Sequence, residues 1–130
     1  MEKLTYEAKI AVLRILYDIV NADSIVHEKE VNYMNEMACS LGLGEEYLAA
    51  VENFVTLQAL GIVRVLAPEI KEQIAGVMGK MIVVDRDINY NEVKLYNRLC
   101  ELCDIEKDFN IKDYPDYTLS GPFVNPEDIF

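Results

Sequence analysis

The sequence predicts an all-α fold, a multihelical bundle of two pseudo-symmetric helix–loop–helix units. Three observations carry this expectation. Apolar residues recur at helical spacing through most of the chain. The breaks between them hold glycine or short polar side chains. The pattern around the first break also returns 62 positions later, taking Asp23 and Asp85 as the reference pair, 85 minus 23.

Residues 6–22 form the first expected helix, with Val12, Ile15, Leu16, Ile19 and Val20 falling on one face. Asn21-Ala22-Asp23-Ser24 ends it, because short polar side chains compete for the backbone hydrogen bonds a helix needs. A second helix is expected over 28–41, with Val31, Met34, Met37, Ala38 and Leu41 inward. Gly42 stops it by adopting a left-handed conformation. Gly44 opens a third helix, in which Glu45 and Glu46 favour the positive dipole end and Leu48, Val51, Phe54 and Val55 face the core. The apolar stretch 57–67 is expected to be helical and interrupted near Gly61. Pro68 suits the first turn of the next helix, where its missing N–H costs nothing. That helix runs to about residue 84, with Ile74, Val77, Met78, Met81 and Ile82 on one face, and the last helix covers 90–103.

At the offset of 62, Asp23 falls on Asp85, Glu30 on Glu92, Val31 on Val93 and Asn35 on Asn97. Apolar positions pair as well: Ile15 with Val77, Leu16 with Met78, Ile19 with Met81, Val26 with Ile88, Met34 with Tyr96, Met37 with Leu99, Ala38 with Cys100 and Leu41 with Cys103. Identity is low, so the shared pattern is what argues for duplication. Two such hairpins can bury their apolar faces against each other.

The 130 residues suffice for one domain with a real core, and 52% hydrophobic with 27% charged residues is a globular balance. A helical domain is expected over 1–107 and a tail over 108–130. Tyr114-Pro115, Gly121-Pro122 and Asn125-Pro126 break any helix in the tail. Its Tyr117, Phe123, Val124, Ile129 and Phe130 favour packing on the domain or on a partner, with the turn 126–130 a candidate contact. The net charge of −11, from 23 acidic and 12 basic residues, repels phosphate backbones and argues against nucleic-acid binding. No apolar run is long enough to span a bilayer, and the start Met1-Glu2-Lys3-Leu4 has no leader-like pattern, so a cytoplasmic location is expected. Cys39, Cys100 and Cys103 have no disulfide-framework spacing. Cys100-x-x-Cys103 lies in an apolar helical stripe and reads as core thiols.

The segment that points to chemistry is Asp85-Arg86-Asp87-Ile88-Asn89-Tyr90-Asn91-Glu92, with its counterpart from Asp23 to Glu30. Hard cations need six to eight oxygen ligands, and Asp85, Asp87 and Asn89 alternate like the first ligands of an EF-hand loop. The match then fails, because Tyr90 holds the turn-glycine position and Tyr96 the bidentate-glutamate position. A shorter acidic loop closed by Glu92 remains open. So does a structural reading, in which Asn89 caps the last helix and Glu92 reaches back to the Asn89 N–H as a capping box. His27 and Glu30 hold the same positions in the first loop, His27 being the poorer cap.

These paired loops, Ala22-Asp23-Ser24-Ile25-Val26-His27-Glu28-Lys29-Glu30 and Val84-Asp85-Arg86-Asp87-Ile88-Asn89-Tyr90-Asn91-Glu92, resemble the tellurite-resistance TerB family over residues 6–105. Family members commonly carry glycine after the loop aspartate, where this chain has Ser24 and Arg86. The resemblance implies an all-helical, internally repeated, non-enzymatic domain associated with stress and tellurite resistance. It also implies binding of divalent cations or assembly with partner proteins. Its candidate positions here are Asp23 and Glu30 in one loop and Asp85, Asp87 and Glu92 in the other. With Asn89 from the alternation, these form the expected cation set, for calcium or magnesium.

The residues offer little for catalysis. His27 is the single histidine, and no nucleophile motif surrounds Ser24. Gly76-x-x-Gly79 lies within a helix and reads as close packing rather than phosphate binding. The expected function is a binding or scaffold domain with a cation loop at 85–92. The alternatives are a protein-interaction module without metal, a homo-oligomer through the tail, and a small hydrolase centred on His27.

Overall fold

A computed structural model of the chain describes residues 4–22 and 27–120. Six α-helices follow in order: α1 (Tyr6–Val20), α2 (Glu28–Ser40), α3 (Tyr47–Glu52), α4 (Thr56–Arg64), α5 (Pro68–Val83) and α6 (Tyr90–Cys103). Among the described residues there are also two three-residue strands, β1 (Asp87–Asn89) before α6 and β2 (Thr118–Ser120) in the tail. They pair in parallel, with Asp87 opposite Thr118, Ile88 opposite Leu119 and Asn89 opposite Ser120. The fold is mostly helical as expected, and within the expected loop this short strand pair is an addition. Backbone groups at 87–89 that leave the helical ladder find partners in the tail.

The helix boundaries reproduce the duplication. Shifting α1 by 62 residues superposes its start and end on Pro68 and Ile82 of α5, and shifting α2 places it at Tyr90–Leu102 of α6. Core positions follow suit: Leu16 and Met78, Ile19 and Met81, Met34 and Tyr96, and Ala38 and Cys100 are all buried. The symmetry breaks at Val31, which is exposed while Val93 is buried.

Helix α1 sits in the middle and contacts every other α-helix. Ile10, Ala11 and Leu13 are buried along with Val12, Ile15, Leu16, Ile19 and Val20, so the helix is enclosed rather than amphipathic. Thr5 starts it by accepting a hydrogen bond from the Ala8 N–H at 3.1 Å. Arg14 then ties it to the α3–α4 corner, donating to the carbonyls of Val51 and Glu52. The third helix is shorter than expected and begins at Tyr47. Tyr47 and Val51 supply its buried face, whereas Leu48 and Val55 are exposed. Helix α4 runs unbroken through Gly61. Gly42 does take the left-handed conformation, at φ +79°.

Beyond α6 the chain turns back over the bundle. Asp104 in left-handed conformation ends the helix, and the tail passes over α5 at its two glycines. A Cβ on Gly79 would sit 3.6 Å from that of Phe109, so the glycine accommodates the tail and not another helix. Phe109 meets Tyr96 edge-on at 5.8 Å and stacks on Tyr114, which touches Tyr117. This aromatic run carries β2 to the 85–89 loop. Phe123, Val124, Ile129, Phe130 and the turn 126–130 lie outside the described residues, as do Asp23 and Val26. Cys100 and Cys103 are buried free thiols, Cys39 is exposed, and burial raises the Cys100 thiol to about 11.

Candidate functional site

The end of α5 builds the site. Val84 closes the helix, and Arg86 turns the chain sharply in the left-handed region, at φ 63°. A side chain there costs about 1–2 kcal/mol of backbone strain, which glycine would avoid. The guanidinium of Arg86 lies 4.6 Å from the centre of the Tyr117 ring, a cation–π contact that offsets part of that cost. Arg86 also accepts a backbone hydrogen bond from Thr118 at 3.2 Å, so the turn and the tail hold each other.

The turn brings Asp85 and Asp87 to one side. Asp85 Oδ1 accepts the backbone N–H of Asp87 at 3.1 Å, leaving Oδ2 facing His27 Nδ1 at 3.5 Å. Asp87 Oδ2 accepts the Ser120 hydroxyl at 3.0 Å, while its Oδ1 is buried without a hydrogen-bond partner. One donor atom each from His27, Asp85 and Asp87 lie within 4.8 Å of one another. Such a set can hold a metal ion.

The two equivalent glutamates, Glu30 and Glu92, are each about 1% exposed, and Glu30 feels the charges of Asp85 and His27. The glutamate carboxyl groups adjoin, so a proton on either would bridge them. With both ionised, neither Glu30 oxygen has a donor. The His27 backbone N–H, at the capping-box position, acts on the Glu30 carboxylate in the stabilising sense. Burial, and secondarily the charge of Asp85, push its carboxyl above the usual range, while Glu92 and His27 oppose the shift. A buried acid without a donor is expensive to keep, and a cation placed before it would remove the cost.

The two loops divide the expected roles unequally. Asn89 is the cap of α6, its Oδ1 accepting the Asn91 N–H at 2.8 Å, so that oxygen is committed to the helix. His27 makes no side-chain cap for α2 and turns to Asp85 instead. Of the expected set, Asp85 and Asp87 come together with His27, Glu30 and Glu92 are buried outside that trio, and Asp23 lies outside the described residues. Two residues were missed by the sequence reading. His27 occupies the position equivalent to Asn89, where sequence suggests a poor cap or the centre of a hydrolase but not a ligand. Ser120 comes from the distant tail, and no local pattern announces a strand pairing across 31 residues.

Two helical hairpins related by the 62-residue offset make this a mostly helical protein. The family model described as tellurite resistance protein TerB matches residues 1–53, which span the first hairpin and α3. The fold is similar to the crystal structure of a protein of unknown function from Porphyromonas gingivalis W83. The two chains are 20% identical with a TM-score of 0.72, covering 84% of this chain and 86% of that one. At that identity the likeness concerns the fold. No curated protein matches this chain. Among the described residues, no helix is long and apolar enough to cross a membrane.

Proposed function

We propose that the chain is a non-enzymatic, cytoplasmic binding domain of TerB type that holds one divalent cation between its two loops. The observation carrying this reading is Glu30. It is buried with both oxygens lacking a donor, beside Glu92 and facing the charges of Asp85 and His27. Folding keeps such a group only where a proton or a cation neutralises it, and a cation held at the loops would do so. His27, Asp85 and Asp87 supply the ligand atoms nearest one another. Capping explains Asn89, yet it does not account for Asp85 facing His27.

Calorimetric titration of the purified chain with divalent cations, followed by thermal melting, tests the reading. Saturable binding at one site and a raised melting temperature are expected. Asp87→Asn and Glu30→Gln should abolish both. No heat and no change in melting at millimolar cation would remove the proposal.

A second reading is an interaction module, favoured by Leu57 and Val65, exposed apolar residues near the two ends of α4. Light scattering on the chain alone and on a Leu57→Ser, Val65→Ser variant tests for self-association. A monomer in both cases leaves that surface without a role in oligomerisation.

A further inference from the structure

The His27, Asp85 and Asp87 cluster contains a nitrogen donor, and each aspartate has one oxygen engaged by the protein. Asp85 gives Oδ1 to the Asp87 N–H and keeps Oδ2 opposite His27 Nδ1. Asp87 gives Oδ2 to the Ser120 hydroxyl and keeps Oδ1 buried and unpartnered. Each aspartate is thereby held to offer one oxygen, as outer hydrogen bonds commonly arrange for metal ligands. The independent sign that a ligand belongs here is Glu30, about 1% exposed, with neither oxygen hydrogen-bonded.

Calcium takes six to eight oxygens and magnesium retains most of its waters, and neither gains from an imidazole. Zinc, cobalt and their first-row neighbours accept imidazole nitrogen and carboxylate oxygen together, at lower coordination number. One imidazole nitrogen and a few single carboxylate oxygens match the second group. Resting on the cation-site reading above, we infer that this site takes a first-row transition-metal dication through His27 Nδ1, Asp85 and Asp87, in preference to calcium or magnesium.

The pairing of His27 with Asp85 by itself would serve as an ion pair joining the loops. That role asks nothing of the buried, unpartnered oxygens on Asp87 and Glu30. The His27 imidazole is partly exposed, at 32%, so replacing it removes a donor without opening the core.

The test is competitive titration of the full chain with zinc, cobalt, calcium and magnesium in a Cys39→Ser background, which removes the exposed thiol as a rival ligand. Zinc and cobalt should bind at least about tenfold more tightly than calcium or magnesium. His27→Ala should weaken cobalt binding by about 10–100-fold and alter its visible absorption spectrum, while melting without metal stays near that of the parent. His27→Asp, which makes the donor set all-oxygen, should shift preference toward calcium. Equal affinity for calcium and zinc, or a cobalt spectrum unchanged by His27→Ala, overturns the inference and leaves the cation site standing. Absence of binding by all four ions overturns both. Cobalt or zinc binding that survives Asp85→Asn combined with Asp87→Asn marks adsorption elsewhere and also overturns both.

Discussion

Glu30 and Glu92, equivalent residues of the two hairpins, meet carboxyl to carboxyl in the interior, each about 1% exposed. Duplication placed the same acid at the same turn of α2 and α6, and packing brought the two copies together. The contact is unfavourable for two ionised groups in a low-dielectric interior. It thus marks the place where the fold carries a cost that only a proton or a cation relieves.

Glu30→Gln should therefore stabilise the metal-free protein at neutral pH, since the amide carries no charge to bury and can donate to Glu92. A gain of about 1–2 kcal/mol is expected by urea denaturation. The sign follows from the raised carboxyl: wild-type stability from this group is present at acid pH, below its ordinary 4.5, and is lost as pH rises through the higher folded-state value. The gain of the variant should accordingly shrink as pH is lowered toward 4.5. Equal stability of the two proteins at pH 7 would contradict the burial argument.

Ser120 fixes the orientation of Asp87 by donating its hydroxyl to Oδ2 and accepting the Asn89 amide at 3.4 Å. Ser120→Ala should weaken cation binding by about 10-fold or more while changing stability little. Calorimetry against the parent chain checks this, and unchanged affinity would show that the tail does not tune the loop.

The Tyr96 hydroxyl accepts the backbone N–H groups of Asp108 and Phe109 at 3.0 and 3.2 Å. Tyr96→Phe leaves two donors unmet beneath the tail, costing about 1–3 kcal/mol. Faster proteolysis within residues 108–120 is expected alongside a lower melting temperature. If the tail stays as protected as in the parent, other contacts suffice to hold it.

Thiol labelling separates the cysteines. Cys39 is exposed and should react in the native state, whereas Cys100 and Cys103 are buried and burial raises both thiols. One equivalent of label per chain is expected before unfolding and three after it. Rapid native labelling of all three would mean that α6 opens readily.

The sequence by itself determined the helices and their duplication. Burial periodicity and punctuation by proline, glycine and short polar residues are local properties, so α5 and α6 could be read almost to the residue. Local spacing also nominated Asp85, Asp87, Glu30 and Glu92. It could not separate a cap from a ligand, because Asn89 and His27 occupy matching positions and differ only in what stands opposite them. Tertiary packing decided that Asn89 serves its own helix while His27 turns toward Asp85, that Leu48 and Val55 face outward, and that α1 is enclosed on nearly all sides. It also brought Ser120 to Asp87. Such contacts join residues far apart in the chain, and their energies depend on which surfaces meet, a property no single segment carries.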